Sequence, residues 1–299
     1  MTRSAAPPGR RYNDPDFFMT EFTGEPFLKW AGGKTQLLAQ LEPHLPQKFR
    51  AYYEPFMGGA AVFFYLRRTR GDFPAWLNDW NPELVNCYAI LRDQVEALIP
   101  LLREHRAQHS KTHFYRVRAL APAELAPVAR AARLIYLNKT CFNGLYRVNA
   151  SGQFNVPLGS NKNPRIFDET NLRAVSAALQ GVELRHGDFA AVLKLARARD
   201  LIYFDPPYHT ETNGFTSYAV AASGRAQFGE AEQARLREVV VQLVRRKCHV
   251  LVSNSATSFI QNLYAEFAPA RIHIVRARRA INSDARGRGL INEVLITSS

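Results

Sequence analysis

Apolar residues in this chain fall into short continuous runs that are bounded by turn residues and by charged residues. The runs at residues 201–204 and 249–254 have the length and composition of buried strands in a parallel sheet. Residues 230–246, in contrast, repeat their apolar positions with a helical period and predict an amphipathic helix. This pattern predicts an α/β protein with a Rossmann-like sheet.

Further strand-like segments complete the predicted sheet. Residues 51–54 and 74–79 flank a glycine turn and an apolar helix, and residues 182–185 form a third segment of strand type. Residues 272–275 and 293–297 predict a closing pair of strands near the end of the chain. A helix-like stretch at residues 36–44 precedes all of them.

Residues 94–185 depart from this pattern and predict an inserted domain. Helical periodicity through residues 94–104 and 123–137 gives way, at residues 138–159, to strand-type residues with a turn at Asn143-Gly144. This order predicts a β-hairpin with an exposed basic and aromatic tip.

The predicted domains follow from these segments. Residues 25–93 and 186–299 form the main α/β domain, residues 94–185 form the inserted domain, and residues 1–24 form a loose tail without periodicity.

Composition points to the class of partner. The formal net charge is +13 over 299 residues, an excess that favours nucleic acid first and an anionic membrane second. No apolar run approaches the ~20 residues of a membrane-spanning helix, and no apolar stretch at the N-terminus predicts a secretory signal. Three widely spaced cysteines fit a reducing cytosol better than disulfides or a zinc site. We therefore expect a cytoplasmic protein.

The segment Asp205-Pro206-Pro207-Tyr208 directly follows an apolar run. Its prolines end the strand and stiffen the turn, at the sheet edge where α/β proteins bind ligands. The Asp205 carboxylate and the Pro206 carbonyl could accept both N–H groups of a nucleobase amine, while Tyr208 stacks on the flipped base. In the alternative interpretation this is an ordinary loop, with Asp205 as a cap and Tyr208 in the core.

Three residues at predicted strand ends suit a nucleoside. Gly58 lies in a glycine turn that allows a ligand close to the backbone. Asp79 ends the next strand about 20 residues later, at the spacing of acids that bind ribose hydroxyls. Asp188 ends a further strand and could face an adenine. Capping of a following helix is the alternative for both acids.

The segment Gly32-Gly33-Lys34-Thr35 is not a P-loop, because position 28 is Leu where that motif requires glycine. We therefore exclude hydrolysis of nucleoside triphosphates. A glycine pair that opens a helix still favours anions, so Trp30 could offer a flat face and Lys34 a charge to a ligand. Alternatively, Trp30 lies in the core and Lys34 is solvated.

No metal site is predicted. His105, His109 and His113 have the spacing of one helix face, but no carboxylate or cysteine that could complete a metal site shares that spacing. We interpret them as a solvated basic face. Residues 209–228 predict a functional lid or a disordered loop. The basic connection between Arg276 and Arg288 suits phosphate contacts.

Six motifs in chain order resemble the Dam-type DNA adenine-N6 methyltransferases of the alpha group. They are Phe27–Thr35, Glu54-Pro55-Phe56-Met57-Gly58-Gly59, Leu77-Asn78-Asp79, Asn143-Gly144-Leu145-Tyr146-Arg147 with Phe154-Asn155-Val156-Pro157, Asp205-Pro206-Pro207-Tyr208, and Arg278-Arg279-Ala280-Ile281-Asn282-Ser283. The resemblance covers roughly residues 25 to 298.

The resemblance implies a role for each matched residue. The catalytic residues would be Asp205, Pro206 and Tyr208. S-adenosylmethionine would be bound by Trp30, Lys34, Asp79 and Asp205, and the pattern of strand ends adds Gly58 and Asp188 to these cofactor-binding candidates. The target-recognition hairpin would include Phe142, Asn143, Leu145 and Arg147. We add Asn149, Arg278 and Arg279 as further DNA-binding candidates.

We therefore predict a class I methyltransferase sheet with an inserted target-recognition domain. The predicted enzyme is a site-specific adenine methyltransferase that acts on N6 of a flipped adenine in double-stranded DNA, with GATC as a candidate target. Its expected setting is a bacterial or phage-infected cytoplasm, as a monomer at the nucleoid, with a cognate restriction endonuclease as a candidate partner. The alternatives are an RNA base methyltransferase and a non-catalytic basic DNA-binding module.

Overall fold

The computed structural model describes residues 24–30, 32–149, 151–211, 228–265, 271–278 and 290–298. Within these ranges seven strands form one sheet in the order β3-β2-β1-β4-β5-β7-β6. The strands are β1 (Tyr52–Glu54), β2 (Ala75–Asp79), β3 (Glu183–His186), β4 (Leu201–Phe204), β5 (His249–Ser255), β6 (Ile272–Arg278) and β7 (Leu290–Thr297).

The sheet is parallel except at one end. β3, β2, β1, β4 and β5 run parallel, whereas β7 pairs antiparallel with both β5 and β6. The chain order reverses between β1 and β4, which makes their carboxyl ends the topological switch point of the sheet. The Rossmann-like α/β fold predicted from the sequence is confirmed, including the closing pair of strands.

Eight α-helices are described. They are α1 (Leu38–Leu41), α2 (Ala61–Arg70), α3 (Pro82–Ala107), α4 (Lys111–Ala119), α5 (Pro127–Thr140), α6 (Glu169–Ala178), α7 (Glu230–Arg245) and α8 (Ser258–Tyr264). The helix predicted at residues 36–44 is instead α1 between two 3₁₀ turns, Lys34–Gln36 and Glu42–His44. Pro43 lacks a backbone N–H, so a regular helix cannot continue through it.

Side chains of the central strand alternate between two buried layers. Leu201 and Tyr203 of β4 belong to the core that includes α2, α3 and α5, whereas Ile202 and Phe204 belong to the core under α7 and α8. Such alternation follows from the two-residue period of a strand. Both faces are therefore covered, which explains why these strands are continuously apolar in sequence.

Helix α3 joins the sheet to the inserted helices. It begins after Asn81, whose side chain accepts hydrogen bonds from the N–H groups of Glu83 and Leu84. It then runs through the predicted domain limit at 93/94 and is non-helical at one residue, Gln94 (φ −142°). At the other limit, β3 pairs with β2 and begins at Glu183, before the predicted position 186. The two predicted limits therefore fall inside one helix and one strand.

The prediction that three histidines share one solvated helix face is wrong. α3 ends at Ala107, and Ser110 caps α4 by accepting the N–H of His113 at 3.1 Å. The histidines still converge, because His105 Nδ1 lies 3.0 Å from His113 Nε2. Burial lowers the pKa of His105 to about 4, so its ring is neutral at pH 7. Within the described part of the chain, no cluster of three His, Cys, Asp or Glu side chains is placed to hold a metal.

The predicted hairpin is only partly confirmed. α5 extends to Thr140, so the first three residues of the predicted hairpin are helical. In the described ranges, the segment that follows has two isolated antiparallel bridges, Cys141–Leu158 and Val148–Phe154, in place of regular strands. The turn at Asn143-Gly144 is confirmed, with φ values of 56° and 66°. We call residues 141–159 the recognition segment.

No helix among the described residues is long and apolar enough to span a membrane.

Candidate active site

Two loops meet at the switch point of the sheet. The glycine loop follows β1, and the segment from Asp205 to Tyr208 follows β4, which lies beside β1. Met57 donates its N–H to the carbonyl of Asn78 at 2.9 Å, which ties the glycine loop to the end of β2. The side-chain amide of Asn78 donates to the carbonyls of Pro55 (3.1 Å) and Gly187 (2.9 Å). One buried asparagine therefore holds three strand ends together.

Lys34 pairs with Asp205 inside this edge. Its Nζ lies 2.8 Å from Asp205 Oδ1, and the two side chains are 4% and 19% exposed. The same ammonium donates to the carbonyl of Gly32 at 2.5 Å and lies 4.9 Å from the centre of the Tyr208 ring. A buried ammonium requires such partners, because desolvation of an unpaired charge is expensive. The alternative interpretation of Lys34 as a solvated residue is wrong.

The charge on Asp205 is set by opposing influences. Burial raises the pKa of its carboxyl to about 6, although Lys34 lowers it through charge and a hydrogen bond. Glu293 raises the pKa further through like charge. At pH 7 Asp205 is therefore mainly a carboxylate, which is an acceptor of hydrogen bonds only.

Tyr208 has contacts at its hydroxyl and at the face of its ring. Its hydroxyl donates to Glu293 Oε2 at 2.7 Å, and the Lys34 ammonium lies near its face. Burial, followed by the charges of Asp205 and Glu293, raises the pKa of Tyr208 well above its usual value. The hydroxyl therefore stays protonated and donates. The ring is half-buried at the ligand edge and does not belong to either hydrophobic core.

Glu54 places a further carboxyl at the end of β1. It is buried and accepts the Tyr52 hydroxyl at 2.8 Å. Burial raises its pKa well above the usual range, and the Asp205 charge adds to this, whereas Tyr52 and Lys34 lower the pKa. Glu54 thus belongs electrostatically to the same site as Lys34 and Asp205.

Asp79 binds the glycine loop. Its Oδ2 accepts the Gly58 N–H at 3.1 Å, and its Oδ1 accepts the Asn81 N–H at 2.9 Å. The Trp80 N–H is a third backbone donor to this carboxylate, which has about four lone-pair sites and so keeps capacity for a ligand hydroxyl. Burial raises the pKa of this carboxyl, and its backbone hydrogen bonds lower it. The cap of α3 is Asn81 and not Asp79, so the capping alternative for Asp79 is wrong.

Gly58 and Trp30 are in close contact. Gly58 has φ +46°, and a Cβ atom at this position would lie 2.8 Å from Trp30 Cδ1. The Trp30 ring also stacks on Tyr146 of the recognition segment, with centroids 5.6 Å apart and an interplanar angle of 25°. Trp30 therefore connects the glycine loop to the recognition segment.

Asp188 lies two residues beyond the end of β3 and has strong protein partners. Its carboxylate caps the following 3₁₀ turn by accepting the Ala190 N–H at 2.8 Å. It also accepts two N–H groups of Arg235 on α7, at 2.6 and 3.0 Å. A ligand at this carboxylate would share it with Arg235.

Asn138 of α5 clamps the chain next to Trp30. Its amide pairs with both backbone groups of Lys29, at 2.8 Å to the N–H and 2.7 Å to the carbonyl. It also donates to the Gly144 carbonyl at 2.9 Å. A single buried side chain thus fixes the recognition segment against the residues that lead to Trp30 and Lys34.

The predicted DNA-binding residues of the recognition segment differ in exposure. Phe142 is 45% exposed, and Asn143 and Arg147 are exposed, with Arg147 Nε donating to Asn155 Oδ1 at 2.7 Å. Leu145 is half-buried against the core. Asn149 Oδ1 accepts the N–H groups of two residues in the turn that follows, at 3.1 and 2.9 Å. The segment therefore presents three side chains outward and uses the other two to keep its shape.

Several predictions concern residues that the structure does not describe. Arg279 lies outside the described residues, and Arg278 is described only through its backbone in β6. Three further segments lie outside the described ranges. They are the tail up to residue 23, the greater part of the predicted lid, and the part of the last motif and of the basic connection that follows Arg278.

Three residues of the site were missed from the sequence. Glu54 ends a buried strand and Glu293 lies within one, and a charged residue in such a segment is a signal of a buried functional group. Asn138 gave no local signal, because its partners are 109 residues away and beyond the turn of the recognition segment.

Comparison with known proteins agrees with this geometry. The family model of the D12 class N6 adenine-specific DNA methyltransferases matches residues 30–281. The Type II methyltransferase M.MjaIII of Methanocaldococcus jannaschii is 40% identical over 292 residues, covering 91% of this chain and 98% of that protein. The Type II methyltransferase M1.LlaDCHI of Lactococcus lactis subsp. cremoris is 38% identical over 281 residues, covering 91% and 95%.

The DNA adenine methylase of Escherichia coli is 33% identical over 274 residues, covering 90% of this chain and 93% of that protein. A solved structure, a putative O-methyltransferase from Klebsiella pneumoniae, covers 89% of this chain and 79% of its own at 12% identity and a TM-score of 0.34. The fold assignment therefore depends on the strand order, and the family on the sequence matches. The chain belongs to the D12 class of N6 adenine-specific DNA methyltransferases.

Proposed function

We propose that this enzyme uses S-adenosylmethionine to methylate N6 of an adenine that is flipped out of double-stranded DNA. The observation that carries the proposal is the group formed by Lys34, Asp205 and Tyr208 at the switch point, directly beside the glycine loop. An adenine inside a duplex cannot reach such a buried group, so the base must leave the stack.

The residues of the glycine loop and the neighbouring strand ends fit the proposed cofactor. Gly58 leaves no space for a side chain beside Trp30, so backbone lines this position. Asp79 accepts backbone N–H groups and would accept a ribose hydroxyl with its remaining capacity. Trp30, Lys34 and Asp188 would complete the cofactor site together with Asp205. When bound, the cofactor supplies a methyl group that is already activated by its sulfonium.

The protein's own contribution is orientation and charge. The Asp205 carboxylate and the Pro206 carbonyl accept the two N–H groups of N6, which directs the lone pair of the nitrogen away from the base plane. The Tyr208 ring, fixed by Glu293 and Lys34, supports the flipped base by stacking. Because Asp205 has a pKa near 6, its oxygen can also take up the proton that N6 loses.

Target recognition is assigned to the recognition segment. Arg147 is exposed and can contact a guanine edge with two hydrogen bonds, while Phe142 can enter a base step and support flipping. Asn143 would contact the DNA beside them, Leu145 and Asn149 would support the segment, and Arg278 and Arg279 would bind phosphates. GATC is the target to test first, because the motif around Arg147 is similar to that of the Dam-type enzymes.

The wider setting is part of the proposal. The enzyme would act as a monomer at the nucleoid in the cytoplasm of a bacterium or a phage-infected cell, with a restriction endonuclease of the same specificity as a candidate partner. Residues 94–185 would form the recognition domain, and residues 25–93 and 186–299 the catalytic domain.

The first test is sequencing of modified bases in DNA from a methylation-free host that expresses the chain. We expect N6-methyladenine at one short motif in cells with the natural protein and at least a hundredfold less with Asp205→Ala, because the amine loses its principal acceptor. Asp93→Ala is the matched control, since Asp93 is half-exposed and pairs with Arg92 on the surface.

Unmodified adenine in DNA from cells with folded protein that binds the cofactor would contradict the proposal. Methylated RNA in the same cells would then indicate that the substrate is an RNA base. Absence of cofactor binding would identify a non-catalytic DNA-binding module.

A further inference from the structure

Glu293 is a buried carboxylate in the middle of an apolar strand. It lies on β7 opposite Ser255 of β5 and Val275 of β6, and the next three residues of β7 are buried and apolar. The residue as a whole is 7% exposed. Burial of a carboxylate costs several kcal/mol unless partners compensate. A charge retained in such a place points to a role at the adjoining site.

The hydrogen-bond partner of Glu293 among the described residues is the Tyr208 hydroxyl, at 2.7 Å. A hydrogen bond to an ionised acceptor is roughly twice as strong as one between neutral groups. It fixes the far end of the Tyr208 side chain, while Lys34 lies 4.9 Å from the centre of the ring. The orientation of the ring is therefore set from two sides, by a strand and by the segment before α1.

We infer that Glu293 is a positioning residue for methyl transfer, which orients the Tyr208 ring through its hydroxyl and opposes the charge of Lys34 at Asp205. The inference depends on the proposed function, in which Tyr208 stacks on the flipped adenine and Asp205 accepts its amine. Glu293 itself touches neither reactant.

The charges around Asp205 determine how the inference can be tested. The ionisable side chains whose charges act on Asp205, or on which Asp205 acts, are Lys34, Tyr52, Glu54, Tyr203, Tyr208 and Glu293. Lys34 lowers the pKa of Asp205, whereas burial and the negative charge of Glu293 raise it. Removal of the Glu293 charge therefore lowers the pKa of Asp205, so the carboxylate form persists to more acidic pH.

Four variants separate the effects of the hydrogen bond and of the charge. Glu293→Gln keeps an acceptor oxygen and loses the charge, Glu293→Ala loses both, and Tyr208→Phe loses the hydroxyl alone. Glu96→Gln is the control, because Glu96 is an exposed surface partner of Arg173. Single-turnover methylation and its pH profile are measured with the full chain, the cofactor and a duplex that contains the target sequence.

We expect Glu293→Ala and Tyr208→Phe each to lower the rate of methyl transfer by about 10- to 100-fold with little change in KM for DNA, since a displacement of ~1 Å can have this effect. The double variant Glu293→Ala/Tyr208→Phe should lose less than the product of the two single losses, because either change alone already removes the contact between these residues. Glu293→Gln should recover most of the rate at pH 8, and the acidic limb of its pH profile should move to lower pH.

A rate like that of the natural protein in Glu293→Ala, or additive losses in the double variant, would overturn the inference. If Glu293→Ala does not fold, the other two variants decide, because an unmoved acidic limb in Glu293→Gln or an undiminished rate in Tyr208→Phe also overturns it. The activity of the natural protein is measured before that of any variant. If the natural protein is inactive, the proposed function is refuted and the inference about Glu293 is not reached.

Discussion

Individual residues at the switch point show how buried carboxyl groups find partners. Asp205 pairs with Lys34, Glu54 accepts the Tyr52 hydroxyl, and Glu293 accepts the Tyr208 hydroxyl. Tyrosine hydroxyls thus satisfy two of the three carboxyl groups without adding positive charge.

Gly58 gives a prediction at the same scale. Gly58→Ala places a Cβ atom 2.8 Å from the Trp30 ring, so the ring or the loop must move, and we expect affinity for S-adenosylmethionine to fall by about tenfold or more. Gly181→Ala is the matched control, because Gly181 also has a positive φ (+71°) but a Cβ atom there would meet nothing within 4 Å. Calorimetry measures cofactor affinity for both variants.

Backbone strain is common to both substitutions and costs about 1–2 kcal/mol of folding free energy. Equal losses of cofactor affinity in the two variants would therefore show that the Trp30 contact does not shape the pocket.

At the scale of elements, the recognition segment depends on helix α5. α5 carries Asn138 near its end, and this side chain holds Lys29 and Gly144 at once. The stack of Trp30 on Tyr146 adds a second connection between the recognition segment and the residues beside Lys29. The position of the recognition segment is thus coupled to the residues that lead to Lys34.

Gly144 tests this coupling. A Cβ atom on Gly144 would lie 2.5 Å from Lys29 Cβ, so Gly144→Ala must displace the recognition segment. We expect about tenfold weaker binding of target DNA, or more, since a single well-packed contact carries about 1–3 kcal/mol. Gly152→Ala has a similar positive φ (+74°) with open space and should bind DNA like the natural protein.

Fluorescence anisotropy with a labelled duplex gives both affinities. If the two variants bind DNA equally well, the contact between Lys29 and Gly144 does not position the segment.

For the molecule as a whole, the net charge of +13 governs the encounter with DNA. Release of counterions from DNA makes affinity fall steeply with salt, by a slope of about −0.9 for each phosphate that is neutralised. The sheet contributes rigidity, and the basic side chains contribute attraction that is independent of sequence.

The salt dependence of binding separates base contacts from phosphate contacts. Arg147→Ala should lower affinity for the target by about 1–3 kcal/mol with an unchanged slope, whereas Arg279→Ala should reduce the slope by about 1 on any sequence. Titrations of duplex DNA between 50 and 200 mM salt, a range of ~4-fold, measure both quantities. A nearly flat slope for the natural protein would refute the proposed footprint on DNA.

The sequence by itself determined the elements and the central motif of this protein. Runs such as Leu201–Phe204 are apolar because both faces of the sheet are covered, and the prolines after Asp205 end the strand for local steric reasons. Such local rules need no knowledge of distant residues. The strands, the long amphipathic helices and the turn at Asn143-Gly144 were predictable for this reason.

Only the tertiary structure decided which side chains meet. Glu293 reaches Tyr208 across 85 residues, Asn138 reaches Lys29 across 109, and the histidines at 105 and 113 pack together from two helices. A one-dimensional pattern records that a residue is charged or polar but not which neighbour compensates its burial. The strand order β3-β2-β1-β4-β5-β7-β6 brings Glu293 of β7 to the edge where β1 and β4 end. The partners are fixed there, because a buried charge must find its partner in space and not along the chain.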